Sequence, residues 1–290
     1  MSILLNALAA FGAGCLASCI GAVPAFVMTG LIAIVGGAVA TAGGAAGATI
    51  FGTVAFGTFF GPHISFAGAV AATAYAAKKG HIEAGAAVGT PLAPIGAPDV
   101  IAVGGIFGVI GWVIGTYIVP AVFGGLIPFG TDNPGMTVVI SGIIARLAFG
   151  SRGLKSGTKG SVTTAQSVLL GVGFSLMVGG TGVALAAAGM DMSYYNIIVF
   201  GIAAVTLIFP GTPGWHQIGI ISAYATMIAL GAGMSSIAVV IFAVVAGVCA
   251  NLICDAETYL INTDVDSHID GPGTAICLMT IVLNIVAAML

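Results

Sequence analysis

The chain has 290 residues, of which 59% are hydrophobic and only 5% charged, with a mean hydropathy of +1.19 and a formal net charge of −3. Soluble domains carry roughly 25% charged residues, so a soluble globular fold is excluded. The six basic residues are too few and too scattered for a nucleic-acid-binding patch. What remains is an all-α polytopic membrane protein, a single membrane domain whose first partner is the lipid bilayer.

In chain order, the N-terminal "MSILLNALAAFGAG" has no Lys or Arg ahead of its apolar stretch, so a first membrane helix is expected there in place of a cleaved signal peptide. Breaks at Pro, polar residues and turn dipeptides delimit apolar segments at 3–22, 24–42, 45–60, 62–78, 99–121 and 134–150. A second series follows at 163–189, 193–209, 213–232, 235–254 and 273–290. That makes ten or eleven segments. Several sit near the lower limit of roughly 17 residues for a crossing, so some are expected to be half-helical or re-entrant.

The 46 glycines are spread through the apolar runs, where small residues let helix backbones approach closely. Gly104, Gly108, Gly111 and Gly115 fall on one helical face, and Gly43 and Gly47 repeat the spacing. Such faces suit contacts within the chain or a homo-oligomer. Cys15, Cys19, Cys249, Cys254 and Cys277 lie in or beside apolar segments and read as small hydrophobes, without the spacing of a metal site.

All the basic residues precede position 160: Lys78, Lys79, Arg146, Arg152, Lys155 and Lys159. The positive-inside rule therefore puts the loop after Lys79 and the basic linker 151–162 in the cytoplasm, with the protein in the inner (plasma) membrane.

Two stretches echo each other. "TDNPGMTVVISGIIARL" aligns without gaps on "IDGPGTAICLMTIVLNI", placing Asp132 on Asp270, Gly135 on Gly273 and Arg146 opposite Asn284. Upstream, "FFGPHISFAGAVAATAYAA" resembles "IFPGTPGWHQIGIISAYATMIA", with His63 opposite His216. The His-to-Asp distance is longer in the first half, and "IEAGAAVGTPLAPIGAPD" supplies the insertion. Residues 1–150 and 163–290 are thus expected to be two repeats joined by the linker. An odd number of segments per unit would invert the second.

Asp132 and Asp270, each followed by Pro within one turn, suit N-caps. A helix beginning inside the membrane also points its unpaired N–H groups and positive dipole end into a cavity, where they can hold a polar or anionic group. Asn133, Gly135 and Gly273 belong to the same starts. His63 and His216 open their segments and could bind a solute or relay a proton, and Trp215 could line the path. Asp99, Arg146 and Asn284 form a second tier, Asp99 as a plain N-cap and Arg146 as a residue that snorkels to the cytoplasmic face or pairs with an acid. The acidic run "DAETYLINTDVDSHIDGPG" reads as a solvated loop.

No P-loop, HExxH, GxSxG or dinucleotide fingerprint is present, so no enzyme activity, cofactor or metal is expected. The expected function is secondary transport of a small polar or anionic solute through a midplane site at the repeat interface, coupled to Na⁺ or H⁺. Two alternatives stay open, a passive channel for a small solute and an ion-conducting membrane subunit of a larger complex.

Overall fold

The computed structural model describes residues 2–126, 130–155, 164–262 and 265–290. Asp264, Lys159 and most of the basic linker lie outside them. Helices are the regular secondary structure of the described residues, which contain no strand. Ser2 caps α1 (Ile3–Ile20), and a single residue separates it from α2 (Ala22–Thr41). That residue, Gly21, has φ +96°, and a methyl group there would also lie 2.9 Å from the carbonyl oxygen of Gly89. Both the turn and the approaching loop therefore require glycine.

The first half continues with α3 (Ala45–Ile50), α4 (Ser65–Lys78), α5 (Pro98–Val113), α6 (Val119–Ala121) and α7 (Asn133–Phe149). The second holds α8 (Thr164–Ala187), α9 (Tyr195–Val205), α10 (His216–Gly231), α11 (Ser236–Glu257) and α12 (Gly271–Met289). Single π-helical turns extend α3 through Phe51–Ala55, link α5 to α6 through Ile114–Ile118 and carry α11 on through Thr258–Asn262.

Six helical spans among the described residues are long and apolar enough to cross a membrane: Ile3–Ile20, Ala22–Thr41, Pro98–Gly124, Thr164–Ala187, Ser236–Asn262 and Gly271–Met289. By length and composition, they mark the chain as an integral membrane protein. This is fewer than the ten or eleven apolar segments of the sequence, and the short segments account for the difference. Segment 45–60 holds only the eleven helical residues Ala45–Ala55, folded back so that Gly47 packs on Gly36 and Ala40 of α2. Gly57, Gly61 and Pro62 end it. Segment 62–78 becomes α4, whose 14 residues extend about 21 Å, short of the ~30 Å hydrocarbon core. Nearly every residue from Ser65 to Ala76 is buried, so α4 is an internal helix rather than a lipid-facing one. α10 is similarly short and buried.

Several hydroxyls inside this apolar bundle are satisfied locally, as a medium without water favours. The hydroxyls of Ser18, Thr73 and Thr226 each donate at 2.8 Å to the carbonyl four residues earlier. α1, α4 and α5 meet where Gly14, Gly68 and Gly104 touch backbone to backbone, leaving no room for a methyl group. In the second half, α8, α10 and α11 meet where the Ser175 and Ser222 hydroxyls, 2.8 Å apart, fill the space beside Gly247. α4 packs on α7, and α10 packs on α12. Between the halves, α2 lies along α9 and α7 crosses α12.

The glycine stripe of α5 is occupied within the chain. Gly104 and Gly108 face α1, Gly111 lies against the backbone carbonyl of His63, and Gly115 lies beside the His63 ring. Gly43 is not a packing residue: it adopts φ +81° in a turn, with open space around it.

Candidate functional site

The two Asp-x-Pro-Gly starts meet. Asp132 Oδ1 accepts from the N–H of Gly135 at 2.6 Å, and Asp270 Oδ2 accepts from the N–H of Gly273 at the same distance. Each carboxylate is thus an N-cap, and Pro134 and Pro272 fall within the first turns. A methyl group at Gly135 would lie 3.1 Å from the carbonyl oxygen of Gly273, and one at Gly273 would lie 3.3 Å from that of Gly135. Glycine is what lets the two helix starts touch. Each preceding loop runs beside the other helix: Thr131 donates to the Cys277 carbonyl at 2.8 Å, and Ile269 lies against Gly142.

Beside this crossing is a cavity of about 170 Å³, several times the ~30 Å³ share of one water molecule. Asp132, Asp270, Gly135, Gly273, His216 and His268 contribute to its wall. Most of the rest is apolar, including Phe26 of α2, Phe66 of α4 and Phe200 of α9. The loop between α4 and α5 reaches it through Val88, whose carbonyl accepts from the N–H of Val23 at 3.1 Å. Asp132 also lines a second, more polar cavity with Thr131, Asn133, Asn196 and Tyr224.

His216 is 7% exposed, and its Nδ1 has no hydrogen-bond partner among the described residues. His268 Nε2 lies 3.2 Å from Asp270 Oδ1. Asp132 Oδ2, by contrast, has no hydrogen-bond partner among the described residues, whereas Asp270 is engaged through both oxygens.

Other sequence candidates lie elsewhere. His63 does not line the cavity beside the crossing; it packs against the π-helical turn at Gly115, and its Nδ1 is also without a partner among the described residues. Asn133 is held structurally, its Nδ2 donating to the Gly115 carbonyl at 2.7 Å and its Oδ1 accepting from Thr137 at 3.2 Å. Trp215 faces a different cavity, stacks near Phe174 and donates from Nε1 to Thr206 Oγ1 at 2.8 Å. Asp99 is not the N-cap of α5, a position held by Ala97; it accepts from the Tyr75 hydroxyl at 3.0 Å in the first turn. Asn284 accepts from the Tyr224 hydroxyl at 2.5 Å.

Arg146 neither snorkels nor pairs directly with an acid in the hydrogen bonds described. Its side chain is 1% exposed, and its donors go to Ser267 Oγ and O, the carbonyls of Leu154 and Ile261, and Asn262 Oδ1. It pins the segment before α12 to the last turn of α7. Asn262 extends the clamp, donating to both oxygens of the buried Glu257 at 2.9 and 2.7 Å.

The acidic run is therefore not a simple solvated loop. Its α11 portion stays helical, Ser267 and Ile269 are fully buried, and Asp266 Oδ2 accepts from the backbone N–H and the hydroxyl of Ser151, both at 2.6 Å. Burial alone would raise the Asp266 pKa, but these hydrogen bonds outweigh it and hold the carboxyl below its ordinary value.

Sequence reading missed His268 and the phenylalanines. Position 130, which aligns with His268 in the first half, is glycine, so the repeat drew no attention to it. Phenylalanines in an apolar run carry no signature of their own.

No curated protein and no solved structure matches the chain. Residues 1–162 match the model of a family of unknown function (DUF7973), which covers more than half of the sequence, and the chain belongs to that family.

Proposed function

We propose that the protein is a secondary transporter, and that the cavity at the crossing of α7 and α12 is its solute site. The carrying observation is the meeting of two Asp-capped helix starts over a cavity that also holds a buried, unpartnered imidazole. Helix starts that open into an internal cavity are the usual means by which membrane carriers hold a polar solute.

In this reading, residues 1–150 and 163–290 are two inverted copies of one unit. The support is the recurrence of packing partners: α1, α4, α5 and α7 associate as α8, α10, α11 and α12 do, and α2 meets α9 as α7 meets α12. The cavity lies between these two contacts. The end carrying Lys78 and Lys79 is assigned to the cytoplasm, and Lys78 Nζ donates to the Ala148 carbonyl at 2.8 Å, bringing the ends of α4 and α7 together there.

Uptake into proteoliposomes tests this reading. Candidate solutes should enter saturably and exchange with internal unlabelled solute. The pair Asp132→Asn and Asp270→Asn keeps both caps, since Asn caps as well as Asp, but removes two charges; uptake should fall roughly tenfold or more. Asp191→Asn, in an exposed loop, should leave it unchanged. Flux without saturation or exchange would favour a channel, and full activity in the double variant would remove the site.

A further inference from the structure

We propose that this cavity takes a small organic monocation, an alkylammonium whose apolar body lies against phenylalanine rings and whose charge is met by Asp132. The inference rests on reading the cavity as the solute site and names the class of solute.

Charge summation decides the sign. Each helix N-terminus contributes about +0.5 of a charge, so the two together give about +1, against two carboxylates. The helix starts alone would favour an anion, but their N–H groups at Gly135 and Gly273 are already taken by Asp132 and Asp270. An anion would instead meet the uncommitted oxygen of Asp132. Of the two carboxylates, Asp270 is shared between Gly273 and His268, which leaves Asp132 Oδ2 as the acceptor open to a solute.

The walls decide the kind of cation. Phe26 packs edge-on against Phe66 and Phe200 at centroid distances of 5.9 and 5.3 Å, and Phe56 lies 5.4 Å from Phe200. All four line the cavity. Aromatic rings attract a weakly hydrated organic cation through their quadrupoles. A Ca²⁺-like ion needs six to eight oxygen ligands, and no group of three or more His, Cys, Asp or Glu gathers as a metal site among the described residues.

His216 points independently to a ligand. It is 7% exposed, its ring centroid lies 4.8 Å from that of Phe26, and it lines the same cavity with Nδ1 unpartnered among the described residues. A buried polar group in that state is costly unless something else in the site engages it, and a neutral imidazole can accept from an ammonium or hydroxyl donor.

Three probes of one shape separate charge from fit: choline, the neutral 3,3-dimethylbutan-1-ol and the anion 3,3-dimethylbutanoate. Thermal unfolding of the full-length protein in detergent, at fixed pH and ionic strength, reads their binding. Choline should raise Tm most, the alcohol less and the carboxylate not at all. Asp132→Asn should weaken choline roughly tenfold or more while sparing the alcohol, and Ile220→Trp, which fills the cavity, should abolish every response.

A carboxylate that stabilises as well as choline does, and loses its effect in Ile220→Trp, would overturn the cation inference yet keep the cavity as a solute site. No shift with any probe would overturn the cation inference alone, leaving the cavity to the uptake assay. A choline response unchanged in Ile220→Trp would put binding elsewhere and overturn both.

Discussion

Arg146 shows how a single charge can be kept inside an apolar protein without an ion pair at hydrogen-bonding distance. Backbone carbonyls, a hydroxyl and an amide oxygen take its donors, so the guanidinium is solvated by the protein itself. Arg146→Gln would strip several of these acceptors at once. Its apparent stability in detergent should fall by roughly 3 kcal/mol, read as a lower midpoint of thermal or denaturant unfolding. Asp266 predicts a pH effect. Its folded pKa lies below the ordinary value, so its clip to Ser151 contributes fully above the unfolded carboxylate pKa of about 3.9 and is lost as pH falls through the folded value. Asp266→Asn should therefore unfold at lower temperature than the parent at neutral pH, and the gap should close in acid.

At the scale of helices, glycine placement has graded consequences. Gly14 meets the backbone of Gly104 directly, whereas Gly12, two residues away on the same helix, has open space around it. Gly14→Ala should push α1 from α5 and cost about 1–3 kcal/mol. Gly12→Ala should be neutral or stabilising by up to about 1 kcal/mol, because alanine is the better helix former. Equal unfolding midpoints for the two variants would refute the packing argument. The contrast also explains why a glycine count alone says little, since Gly43 and Gly47 share a spacing but one turns the chain and the other packs.

For the whole molecule, the proposed inverted arrangement makes an orientation prediction. The turn at His81 follows α4 at the basic end, whereas the loop at Ser193 lies near the far end of α2, where Thr41 and Met190 line one cavity. In a cysteine-free background, His81→Cys should label only from the cytoplasmic side and Ser193→Cys only from outside. Labelling of both from one side would sink the inverted-repeat topology, whatever the outcome of the uptake assay.

Local chemistry was legible in the sequence by itself: the membrane class from composition and the Asp-x-Pro-Gly helix starts from capping rules. These depend on neighbours within a few residues or on sums over the chain. Tertiary structure decided what those elements do. Burial on all sides made α4 and α10 internal helices, and the approach of Gly135 to Gly273 brought two distant caps together. The same packing turned His216 and His268 toward one cavity while His63 went against α5. Hydropathy measures how apolar a segment is, but it does not say whether lipid or protein surrounds it, and that difference separates a crossing helix from a buried one. The solvation of Arg146 was hidden for the same reason, because all but one of the acceptors described for it come from residues more than a hundred positions away.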